Sequence, residues 1–215
     1  MRHTEQAFSL IELMIAVGIL GIMVQQYASY ATQREQQARY QAAYHDSKQL
    51  QSTLLTKLRK ELQSRPAGST TEVVGQQLDF TQETAQGEFF QVKVISRCLP
   101  LSSGTPIQVK NPADQECYQS LGCQGLPYVE WSRGIAGQAS DVQRLPAVES
   151  QTQELHKKFG VVGLGLCFRK QSDRLEAYAL GFIQFQDAQG QRFLRVEGLS
   201  GQMPLESRNS IQFLR

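Results

Sequence analysis

The sequence predicts an α+β fold: a long amino-terminal helix packed on an antiparallel β-sheet. Three observations predict it. Residues 8–24 form one apolar run, broken only by Glu12. The stretch from Gln25 to Gln63 holds no proline and no glycine, so a helix begun in the run can continue. Beyond residue 88, apolar and polar residues alternate in segments separated by turn-forming residues, which is the pattern of half-buried strands.

Composition narrows the class. The chain has 215 residues, 40% hydrophobic and 20% charged, which suits one domain with an appendage and excludes wholesale disorder. One long apolar run excludes a polytopic membrane protein. A net charge of +2 gives no electrostatic reason to expect nucleic acid as a partner. Glutamine is frequent but dispersed, so it reads as uncharged solvated surface and not as a low-complexity tract.

The apolar run reads FSLIELMIAVGILGIMV. As a helix it spans roughly 25 Å, the short end of what crosses a bilayer. Tyr27 and Tyr30 follow and suit the membrane–water boundary. Glu12 argues against both a plain anchor and a cleaved secretory signal, although Ser29-Tyr30-Ala31 would pass as a cut site. An acid in mid-bilayer costs about 2.5–3.5 kcal/mol on insertion scales. No lysine or arginine lies between Phe8 and Val24 to offset it.

The segment Ala7-Phe8-Ser9-Leu10-Ile11-Glu12-Leu13-Met14-Ile15 resembles the amino-terminal signature of type IV prepilins and pseudopilins. The resemblance implies a leader, residues 1–7, removed by prepilin peptidase on the cytoplasmic side. Ala7 stands where the family usually has glycine, and Phe8 becomes the N-methylated new terminus. A mature chain of 208 residues would result. It also implies that the Phe8 amine of one subunit and Glu12 of its neighbour neutralise each other in a filament core. Such a pair in a low-dielectric site contributes register more than net stability.

Residues 8–30 are then the transmembrane and filament-core half of the helix, and residues 31–65 its second half. Tyr40, Ala43, Tyr44, Ser47, Leu50, Leu54, Leu58 and Leu62 recur at helical spacing and predict one buried stripe. Gln49, Gln51, Lys57, Arg59, Lys60 and Glu61 fall opposite and read as a solvated face. Arg65-Pro66 ends the helix, because proline disfavours helical geometry in the residue before it. Gly18 and Gly21 suit bending or close helix contact.

Residues 66–215 form the globular sheet domain. Ala67 to Gly75 reads as a polar loop. Strands are predicted at Glu88–Cys98, Tyr128–Arg133, Gly160–Lys170, Leu175–Phe185 and Arg192–Leu199. The last three form a meander, two of them joined through Asp187–Gly190, whose apolar face buries the helix stripe. The connections Leu99–Pro127 and Gly134–Phe159 are too long for structureless loops to be common. The glycines of Gly160–Gly165 sit in a strand pattern, so close backbone packing or a bulge explains them better than a phosphate loop.

Cys98, Cys117, Cys123 and Cys167 are candidates for two disulfides, because export logic puts this domain outside the cytoplasm. Cys98 shares a face with Val92 and Val94, whereas Cys167 lies opposite Val162, Leu164 and Leu166. If both apolar faces meet the helix, a direct Cys98–Cys167 bond is disfavoured and each pairs with a loop cysteine. No catalytic set is legible, the three histidines have no ligand spacing, and no cofactor or metal is expected. Asp114 and Glu116 are two acids without the rest of a calcium cage.

The resemblance thus implies a non-enzymatic minor pilin or minor pseudopilin of a type IV pilus or a type II secretion system. Its partners would be prepilin peptidase, other pilin or pseudopilin subunits and inner-membrane lipid. It would be a single-pass inner-membrane protein with a periplasmic domain, carried to a filament or its tip on assembly. The alternative is a membrane-tethered periplasmic binding or sensing domain that does not polymerise.

Overall fold

The computed structural model describes residues 10–83, 85, 87–100, 105–135, 138–145, 161–171, 174–186, 191–203 and 210–214. The chain divides into two compact units, residues 1–41 and 42–215. The helix α1 runs over Leu10–Gln63. In the first unit every residue from Leu10 to Glu35 is exposed. Among the described residues, α1 is the one helix long and apolar enough to cross a membrane.

In the second unit α1 is followed by β1 (Thr70–Val74), β2 (Gln77–Glu83), β3 (Phe89–Pro100), β4 (Ile107–Val109) and α2 (Pro112–Ser120). Then come β5 (Gly125–Ile135), β6 (Gln138–Leu145), β7 (Val161–Gln171), β8 (Arg174–Gln186), β9 (Arg192–Met203) and β10 (Ser210–Leu214). The class is α+β, but the strands form two sheets and not one. The first has the order β10-β1-β2-β3-β5-β6 and the second β4-β9-β8-β7. Two pairings are parallel, β1 with β10 and β4 with β9; all others are antiparallel.

One core unites the helix and both sheets. Leu54, Leu55, Leu58 and Leu62 of α1 meet Val92, Val94, Val129 and Trp131 of the first sheet and Leu164, Leu166, Ala177 and Ala179 of the second. The meander β7-β8-β9 forms as its alternation predicts, and its apolar face covers the helix leucines. The turn expected at Asp187–Gly190 lies outside the described residues. The alternation on β8 is complete: Leu175, Ala177 and Ala179 face α1, while Tyr178, Leu180 and Phe182 face a second core.

Several expectations need correction. Ala67–Gly75 is not all loop, because Thr70–Val74 is β1, with Thr71 and Val73 buried. Its two threonines and two valines suit a pleated surface better than the polar flanks suggest. The Leu99–Pro127 connection holds β4 and α2, and the Gly134–Phe159 connection holds β6. Residues 146–160 lie outside the described residues.

The helix stripe is also rotated from the expected one. Ala43, Ser47, Leu54, Leu58 and Leu62 are buried, but Tyr44 is exposed and Gln51, assigned to solvent, is fully buried. The cause is the sheet beneath. A Cβ on Gly181 would collide with Ser47 and Gln51, so the missing side chain lets the helix approach β8 there. Beyond Val196, the last residue that β4 pairs, polar side chains of α1 reach β9 carbonyls. Gln51 Nε2 donates to Glu197 O (2.6 Å), Lys48 Nζ to Gly198 O (2.5 Å) and Arg59 Nη2 to Gln202 O (3.0 Å). Lys57, also expected on a solvated face, holds its Nζ 4.9 Å from the Trp131 ring centroid.

Candidate functional site

Two regions carry the residues singled out by the sequence. The first is the amino-terminal part of α1. Leu10, Ile11, Leu13 and Met14 surround Glu12 in the first turns, all exposed. A Cβ at Gly18 or Gly21 would meet nothing within 4 Å, so no packing among the described residues demands glycine at either position. Several polar side chains that follow are satisfied locally. Ser29 Oγ donates to Gln26 O (2.8 Å), Thr32 Oγ1 donates to Ala28 O (2.9 Å), and Arg39 pairs with Glu35 one turn away (2.5 Å). Arg34 lies over the Tyr30 ring, 5.0 Å from its centroid. Ala7 and Phe8, the expected processing and methylation positions, lie outside the described residues.

The second region is a cap on the far face of the second sheet. Helix α2 starts with Asn111, whose side chain accepts from Ala113 N (3.0 Å), and with Pro112 in the first turn. It ends at Leu121 and Gly122, the latter at φ +60°, a conformation that favours glycine. Cys117 and Cys167 are joined, with Cα atoms 5.8 Å apart, and both are fully buried among Tyr178, Leu180, Phe182 and Val196. Cys98 is joined to Cys123, with Cα atoms 5.7 Å apart. Thus neither strand cysteine bonds the other. Cys98 lies on β3 of the first sheet and Cys167 on β7 of the second, on the side away from Leu164 and Leu166.

Polar groups reinforce the cap. The Tyr178 hydroxyl donates to Asp114 Oδ1, and both side chains are buried. A Cβ on Gly198 would collide with that pair, so β9 needs glycine beneath it. Arg169 Nη2 donates to Ala113 O (3.0 Å) and pairs with Glu116 Oε2 (3.0 Å). Burial, then the hydrogen bond and charge of Asp114, hold the Tyr178 phenol well above its ordinary value. Asp114 and Glu116 therefore each have a partner within the chain, and these contacts are those of a structural network. Tyr178 and Arg169 were not legible as members of it. The Asn-Pro pair at 111–112 was the available signal for α2.

The glycines of the strand around residue 163 are explained by both expected causes. The β7–β8 register shifts between Val161 and Gly163, and a Cβ at Gly163 or Gly165 would press on Pro127 at 3.1 Å.

Residues 2–24 match the family described as the prokaryotic N-terminal methylation motif. No curated protein and no solved structure matches the chain. The motif, continued by the long apolar amino-terminal helix, supports a type IV pilin-like protein anchored in a membrane.

Proposed function

We propose that this type IV pilin-like chain is a structural minor pilin or minor pseudopilin, processed by prepilin peptidase and assembled into a type IV pilus or a type II secretion pseudopilus. One observation carries the reading: the methylation motif over residues 2–24 runs directly into a helix whose residues from Leu10 to Glu35 are all exposed. So much apolar surface needs lipid or neighbouring helices around it.

In this reading residues 1–7 are the leader, 8–30 the membrane and filament-core half of the helix, 31–65 its second half and 66–215 the periplasmic domain. Cleavage falls between Ala7 and Phe8, and the freed Phe8 amine is methylated. Glu12 meets the Phe8 amine of a neighbouring subunit and sets register. The two disulfides suit an oxidising compartment. Two sheets with a stapled cap are bulky for a principal building block, which favours a low-copy subunit. The family is structural, and the reading assigns the chain no reaction.

The intact mass of membrane-extracted protein, with and without prepilin peptidase, tests this. Peptidase-dependent loss of Met1–Ala7, with one added methyl, is expected. A full-length mass in both cases would overturn the reading in favour of a tethered periplasmic domain.

A further inference from the structure

We propose that Tyr27, Tyr30 and Arg34 anchor α1 at the outer membrane–water boundary, and that this anchor holds Glu12 at the inner boundary instead of in mid-bilayer. The inference rests on the membrane reading above and adds a depth, a lipid contact and a role for three residues outside the motif. Tyr27 and Tyr30 are exposed, 74% and 52%, so their rings are free to lie among glycerol and headgroup atoms. Tyr27, Tyr30 and Arg34 fall on one side of the helix, at spacings of three and four residues. The Arg34 guanidinium over the Tyr30 ring joins a lipid-phosphate ligand to an interfacial aromatic. Nearby hydroxyls of Ser29 and Thr32 bond their own helix turn, which lowers the cost of bringing them close to lipid.

Helix geometry converts the anchor into a depth. Glu12 precedes Tyr30 by five turns, so the two lie on the same side of α1, about 27 Å apart along the axis. The hydrocarbon layer is about 30 Å thick, and a modest tilt changes the span by only a few ångström. With Tyr30 at the outer boundary, Glu12 therefore reaches the inner headgroups and keeps its hydration. The cost of about 2.5–3.5 kcal/mol for an acid at the helix centre is then avoided in the membrane-resident subunit. Glu12 enters an apolar environment only when the helix leaves the bilayer for a neighbouring helix.

Cysteine scanning tests the depth. All four native cysteines are paired, so an introduced one is the free thiol. Full-length chains carrying Ile11→Cys, Val24→Cys or Gln33→Cys are placed in phospholipid vesicles without peptidase and treated with a membrane-impermeant maleimide from each side. Expected is labelling of Ile11→Cys from the amino-terminal side, none of Val24→Cys, and labelling of Gln33→Cys from the other side. A silent Ile11→Cys with a labelled Val24→Cys would put Glu12 in mid-bilayer and overturn the proposal. Replacing Tyr27, Tyr30 and Arg34 together by alanine should collapse the contrast between positions 11 and 24; an unchanged contrast would overturn the anchor. Because the scan needs no cleavage, the expected labelling pattern beside an unprocessed mass would sink the filament reading and leave the depth standing.

Discussion

Ser96 and Leu166 are joined by two hydrogen bonds: the Leu166 N–H donates to Ser96 Oγ (2.8 Å), and the same hydroxyl donates to Leu166 O (2.7 Å). A side chain of the first sheet thereby occupies the edge of the second. Two residues on, the Phe168 N–H donates to Gln76 Oε1 (3.1 Å). Strand β7 would otherwise present unpaired backbone groups, a template for unwanted strand pairing. Replacing Ser96 by alanine leaves both Leu166 groups without this partner. The expected cost is about 1–3 kcal/mol, read as a lowered urea midpoint with an unchanged slope.

Gly181 sets how closely α1 approaches β8. A Gly181→Ala change should destabilise the domain by about 1–3 kcal/mol, because the new methyl group meets Ser47 and Gln51. Ser47→Ala in the same chain should recover part of the loss. A double-mutant cycle without coupling would mean that the helix shifts freely over the sheet.

The two bridges should open in order. Cys98 is exposed, whereas Cys117 and Cys167 are fully buried. Graded thiol reductant on the folded protein, followed by alkylation and peptide mapping, should modify Cys98 and Cys123 first. Removing Cys117 and Cys167 together should cost about 4 kcal/mol by chain-entropy arithmetic for a loop of this size. Simultaneous opening of both bridges would contradict the burial difference.

Tyr178 makes stability depend on alkaline pH. Its phenol is held above its ordinary value of about 10, so the folded state keeps the proton longer than the unfolded chain does. That contribution is fully present below about pH 10 and is lost as pH rises toward the folded-state value. Tyr178→Phe should flatten the alkaline limb of an unfolding series while lowering stability at neutral pH, because Asp114 loses its donor. Tyr118, raised by burial, should leave a smaller residual slope. A limb unchanged in Tyr178→Phe would assign the effect elsewhere.

Glu12 is the assembly test. Glu12→Val should insert in the membrane as well as the parent chain or better, since a charge near lipid is replaced by an apolar group. It should nevertheless be lost from sheared filament fractions. Undiminished incorporation would count against a register role.

How much of this was legible in the sequence depends on the range of the interactions. The helix, its stop at Arg65-Pro66 and the meander follow from local rules: periodicity, breakers and alternation act within a few residues, so a single chain displays them. The long apolar start of α1, exposed from Leu10 onward, was equally legible, because a long apolar run with an embedded acid is unusual in itself. The separation of Cys98 from Cys167 followed from strand parity, although the premise of one sheet was wrong. Gln51 shows where local reading fails. A glutamine among charged residues reads as surface, and its burial depends on Gly181 and on the carbonyl of Glu197 that accepts from it, each more than a hundred residues away. Tyr178, Asp114 and Arg169 likewise become a network only when β7, β8 and α2 are brought together. Element type is decided by neighbours in sequence, whereas partition into two sheets, helix rotation and cap chemistry are decided by long-range packing and by which backbone edges remain to be satisfied.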